Sequence, residues 1–399
     1  MDDASVFALS CTSKIHRLKF QTIHNMLNLY ESAVESHHIN LITWLIPQPQ
    51  SITMDLRRPL SLKAAESDSL DILEYLQYKI PLQPFERTRK LFETAIQNGS
   101  MNVAKWYYSL YGPECMLKDM SHLAVEHGQL DILKWLYLNG CHFNTTTCVF
   151  AATHNHLEIL KYLHDNGCPW GKSACEGAAR NGYLEILKYL HENGCPWDED
   201  TCEGAARYGH LEVLKYLHEN GRPWNRFACE GAAENGHLDV LKYLHENGCP
   251  WNSNTYMKAI INDHIDVLKY LHENGCPRDN DAYTYAANNG CFEILKYLYE
   301  NGYPWNENTC VTAAEKGHLE ILKYLHENGC PWNEKACAYA SKGGHLDVLK
   351  YLHENGCPWN DDACANAIFY SKKEVLIYLH ENGCPCSINY CEHCRKYTY

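Results

Sequence analysis

Glycine recurs at positions 140, 167, 194, 221, 248, 275, 302, 329, 356 and 383, every step being 27 residues. A period of that length holds two short helices and a turn, and is too short for an independent domain. Each copy must therefore bury its apolar surface against the next. The 399 residues predict one tandem array rather than two or three globular domains.

One unit shows the logic. Ser173, Asp200, Asn254 and Asp362 stand where a side-chain oxygen would cap a first helix. That helix is short and alanine-rich, and it stops at Gly182, Gly209 or Gly236, where a left-handed residue carries no Cβ clash. The second helix reads LEVLKYLHENG, with Leu211, Leu214 and Leu217 on one face and Glu212, Lys215 and Glu219 outside. Gly221 ends it, and Pro223 prevents its resumption.

The early chain follows the same plan with drifted wording. The alanine four residues before each inner turn falls at 33, 64, 95, 124 and 151, then every 27 residues to 367. That register predicts thirteen units, spaced 31, 31 and 29 residues apart at first. Residues 1–25 are a lead-in or cap, 26–383 the array (divergent to about 112), and 384–399 a half-repeat or cap. Thirteen units at about 8–10 Å each predict an array on the order of 100–130 Å.

Composition excludes several classes. Hydrophobic residues make up 45% and charged residues 21%, which argues against bulk disorder. A net charge of −14 repels phosphate backbones, so no nucleic-acid partner is expected. No stretch approaches the ~20 apolar residues needed to span a bilayer, so no membrane partner is expected either. The opening MDDASVFALSCTSK has no apolar leader core, and the expected location is intracellular rather than secreted.

Ala205–Ala206, Gly209–His210, Leu211, Leu214, Leu217 and Gly221 stand in the order of the ankyrin repeat core. The chain resembles that family over roughly residues 26–399. The resemblance implies an all-α helix-turn-helix solenoid with truncated hairpin fingers. It also implies a non-enzymatic protein–protein interaction scaffold, with no cofactor and a monomeric state. Two departures matter. DTCE at 200–203 replaces the family's T-P-L-H opening, and Gly194 to Asp200 is six steps where an ankyrin unit of about 33 residues has about twelve. The deletion falls in the β-hairpin finger, so only binding through the helices carries over. The wording LKYLHENGCPW resembles the ankyrin-like arrays of giant DNA viruses of amoebae. That likeness implies a viral protein engaging a host partner in the host cytoplasm. Two other readings compete: an adaptor delivering a partner to ubiquitin-ligase machinery, and a metal-responsive protein using a cysteine-rich tail.

Several motifs invite chemistry. Cysteines form two columns, one after the closing glycine (Cys141, Cys168, Cys195, Cys249 and onward) and one opening the first helix (Cys148, Cys175, Cys202, Cys229 and onward). Neighbours within a column lie about 8–10 Å apart, beyond disulfide reach, so reduced packing thiols are expected. The tail gathers Cys384, Cys386, Cys391, His393 and Cys394, a zinc-like set in which Cys384 and Cys391 merely continue the columns. Histidines two residues before each Asn–Gly, such as His164 and His218, read as solvated or loop-bonding. Trp170, Trp197, Trp224 and their successors read as wedges sealing the seams rather than a base-stacking ladder, given acidic neighbours such as Asp198 and Asp362. GCPWGKS at 167–173 is one residue short of a phosphate-binding loop and follows a helix, so no catalytic or cofactor-binding residue is assigned.

Positions that vary within the array are those expected to be released from packing. Three such columns run along the first helices, and the residue types favoured at interfaces single out Phe150, Arg180, Arg207, Tyr208, Lys258, Tyr285, Tyr339 and Lys342 as partner-binding candidates. The LKYLHEN face scarcely varies.

Overall fold

A computed structural model describes residues 30–45, 54–77, 85–115, 119–221, 224–305 and 307–386. Residues 1–25, and Cys391, His393 and Cys394, lie outside the described residues. Thirteen helix pairs occur among the described residues, and no strand does. Contacts divide the chain into two compact units, one of Met1–Ala178 with Tyr183–Trp197 and the other of Ala179–Gly182 with Asp198–Tyr399.

The repeat at Glu199–Glu219 shows why these residues form two helices. Asp198 has extended backbone, and its carboxylate accepts from the Asp200 N–H at 3.2 Å. The Asp198 N–H in turn donates to Thr201 Oγ1, which completes a capping box. The true caps are therefore Asn144, Asp198, Asn225, Asn252, Asn333 and Asn360. The expected caps Ser173, Asp200, Asn254 and Asp362 sit inside the first turn. The helix starts earlier than the polar residue nearest the alanines implies, because the chain leaves the extended state right after the Pro–Trp turn.

The first helix runs Glu199–Arg207, and the chain turns at Gly209, whose φ is +80°. The second runs Leu211–Glu219 and buries Val213, Leu214 and Leu217, while Leu211 is only half-buried. Thr201, Cys202, Gly204, Ala205 and Ala206 complete the core from the first helix. Small residues there let first helices of neighbouring repeats pack closely: a Cβ at Gly231 would lie 3.2 Å from the Arg207 Cα. The first variable column is thus not simply released from packing, since Gly204 and Gly231 are buried within it.

Candidate functional site

The second helices carry the seam between repeats. Tyr243 of one repeat sends its hydroxyl to within 3.1 Å of His218 Nδ1 in the repeat before, and His245–Tyr270 and His353–Tyr378 repeat the bond at 3.0 Å. Each histidine also stacks on the tryptophan six residues on, with centroids 3.8 Å apart for His245–Trp251 and 3.9 Å for His353–Trp359. Trp251 in turn meets Tyr270 edge-on at 6.2 Å. These histidines are structural bridges rather than solvated groups. The indole face and the phenol both lie within reach of a ring on the last turn of the helix.

A second histidine column staples the inner turns. His264 packs its ring against Gly236, and its Nε2–H donates to the Glu234 carbonyl at 3.1 Å. That bond satisfies one of the carbonyls left open where the preceding first helix ends.

The thiols meet across columns rather than along them. Cys148 Sγ lies 2.9 Å from Cys168 Sγ, twenty residues on in the same repeat. Cys175–Cys195, Cys229–Cys249, Cys310–Cys330, Cys337–Cys357 and Cys364–Cys384 pair in the same way. The second member also donates to a carbonyl, as Cys249 does to Asn225 at 3.3 Å. The bond to Cys168, together with burial, raises the Cys148 thiol and holds it protonated. No disulfide occurs among the described residues.

The partner-binding candidates fall into distinct surroundings. Phe150, in the first unit, stacks on His122 at 5.3 Å and is half-buried. The exposed Arg180 lies over the Tyr208 ring at 6.0 Å, and Tyr208 is 50% exposed. Arg207 bonds both Glu203 and Glu234, and Lys258 reaches Glu234 at 2.6 Å. The Lys258 ammonium holds the Glu234 carboxyl below the usual range; Arg207 adds to this, and burial opposes it. Arg207 and Lys258 thus form an intramolecular charge ladder along the first helices. Tyr285 is half-buried, and burial raises its phenol, with Asp279 and Asp281 adding to the effect.

Tyr339 and Lys342 are brought together with two residues not chosen from the sequence. The Lys342 ammonium sits 5.1 Å from the Tyr339 centroid and 5.9 Å from that of Tyr370, and it pairs with Glu315 at 2.7 Å. Phe369 meets Tyr370 edge-on at 4.9 Å. Phe369 is 79% exposed and Tyr370 43%. Both belong to the variable columns. Two adjacent large aromatics on a polar helix end were the signal for them.

The family described as Ankyrin repeats (3 copies) matches residues 121–201 and 230–309, and that described as Ankyrin repeats (many copies) matches 310–353. Together they cover a little over half of the chain. Among solved structures, the human ASB11 ankyrin repeat domain is 20% identical, covering 39% of this chain and 84% of its own, with a TM-score of 0.36. No curated protein matches the chain.

Proposed function

Because the chain belongs to the ankyrin repeat family, we propose that it is a non-enzymatic scaffold that binds a partner protein through its first-helix face. The observation that carries this reading is the aromatic cluster of Tyr339, Phe369 and Tyr370 around Lys342. A phenylalanine left 79% exposed beside a tyrosine costs hydration free energy in the isolated chain, and that cost is recovered when a partner covers it. Aromatic residues with a cation among them are the composition of interface anchors. The opposite face presents the nearly invariant Glu212/Lys215-type ion pairs, which are exposed and contribute little. The repeat wording LKYLHENGCPW supports a viral origin and a host protein as partner.

The test is affinity capture from cells followed by direct titration with the purified partner. Phe369→Ala with Tyr370→Ala is expected to weaken binding at least tenfold (on the order of 1.4 kcal/mol or more) with helicity unchanged. Lys215→Glu on the other face should leave it unaltered. Full affinity in the double variant, or loss in Lys215→Glu, would place the partner elsewhere. Arg207→Glu is a poor probe, because it sets a third carboxylate against Glu203 and Glu234.

A further inference from the structure

The final described helix pair, Asp361–Phe369 and Lys373–Glu381, departs from the tryptophan-bearing repeats in several columns, one of which bears on chemistry. Where the preceding repeats carry Trp251, Trp332 or Trp359 stacked on the seam histidine, this repeat carries Cys386. The backbone course after the closing glycine is unchanged: Cys384 N–H donates to Leu379 O at 2.9 Å, as Cys357 does to Leu352. The residue after Pro385 is therefore delivered to the side of His380, as Trp359 is to His353. A thiol arrives there in place of an indole.

The consequence is a cluster of soft ligands. Sulfurs of Cys364 and Cys386 and an imidazole nitrogen of His380 all lie within 4.8 Å of one another. Cys384, whose thiol hydrogen-bonds to that of Cys364, stands beside this trio as the nearest further sulfur. In the repeat before, Cys337 and Cys357 form the same thiol pair, and Trp359 rather than a third sulfur stacks on His353.

We propose that Cys364, His380, Cys384 and Cys386 form a zinc site at this helix pair. Three sulfurs and one imidazole are a complete tetrahedral donor set for Zn²⁺, with Zn–S near ~2.3 Å and Zn–N near ~2.0–2.1 Å. Tetrahedral ligation at those lengths puts sulfurs about 3.8 Å apart, so Cys364, His380 and Cys386, whose donors lie within 4.8 Å, need move inward by only about 0.6 Å each, and Cys384 swings in from its bond to Cys364. Ligation replaces three S–H bonds by three Zn–S bonds, releases three protons to solvent and leaves a site of net charge −1. The ligand set differs from a tail site, because two of its members belong to the helix pair itself.

The experiment uses the full chain, purified under reductant, with Zn²⁺ measured by elemental analysis and Co²⁺ as the spectroscopic probe. One metal per chain is expected, with thiolate-to-cobalt charge transfer and tetrahedral d–d absorption. Cys386→Trp installs the residue that other repeats already accommodate; it should abolish the bound metal and the cobalt bands while circular dichroism stays that of the parent. The variant C391S/H393A/C394S should keep both. Absence of metal in the parent chain, retention in Cys386→Trp, or loss in the tail variant overturns the assignment. So does a stoichiometry that follows the number of thiol pairs rather than one.

Discussion

Gly236→Ala tests whether the glycine–histidine staple couples one repeat to the next. Gly236 has φ +76°, a conformation that costs a residue with a Cβ about 1–2 kcal/mol. The added Cβ would also stand 2.7 Å from His264 Nδ1 and 2.8 Å from its Cε1, so the ring must move. Moving it breaks the 3.1 Å bond from Nε2–H to the Glu234 carbonyl, a further loss of about 1 kcal/mol. The expected total is about 2–3 kcal/mol. Gly248 is the control: its φ is +80°, but a Cβ there meets nothing within 4 Å, so Gly248→Ala should cost only the backbone part, about 1–2 kcal/mol. In a His264→Ala background the clash disappears, and Gly236→Ala should fall to the cost seen at Gly248. Hydrogen exchange of amides in 226–246 is the suitable assay, because it reads local opening in a chain whose unfolding need not be two-state. Equal costs at the two glycines, or a cycle additive to within about 0.3 kcal/mol, would refute the staple.

Two further outcomes are expected. Burial, and then the Arg278 guanidinium 2.8 Å from Nε2, hold His272 below its ordinary range. The unfolded chain then takes up a proton that the folded one refuses, so this stability is present above about pH 6.5 and is lost as the pH falls. The urea midpoint should drop from pH 7 to pH 5 less steeply in His272→Gln than in the parent, and identical slopes would contradict the assignment. Amides at 30–110 should exchange faster than those at 180–350, since Pro59 inside the Met54–Glu66 helix removes a backbone donor from it and no tryptophan of the seam column precedes Trp170. Stronger protection at 30–110 would reverse the gradient.

The period made the helix pairs legible, because a residue type repeated every 27 positions must keep the same neighbours. Position within a unit was less accessible. The caps lie two residues earlier than expected, since Asp198 and Asp200 are equally plausible in composition and only the extended backbone of Asp198 separates them. Cysteine spacing was read down each column, whereas the contact runs from Cys148 to Cys168 across a loop whose path no propensity fixes. A trace of it was present in the sequence: Tyr283 and Tyr303 replace both members of one pair together. Variation drew attention to Tyr339 and Lys342 and equally to Arg207 and Lys258, and it did not show that the charges of Arg207 and Lys258 meet on Glu234 while that of Lys342 meets Glu315. The pairing of Arg207 with Glu234, and of Glu315 with Lys342, one period apart in the same column, was the readable clue.

Where the thiol ladder is interrupted, the Tyr256 hydroxyl bonds that of Tyr303, 47 residues away, and Arg278 lies 4.5 Å from the Tyr303 centroid. Buried thiol pairs act within a repeat, but this bridge leaves one repeat and lands at the close of the next. In a chain whose units otherwise melt one at a time from an end, such a link joins two successive steps into one. An unzipping front that reaches it must release both repeats together, so the barrier to further unravelling rises at the middle of the second unit rather than at its ends.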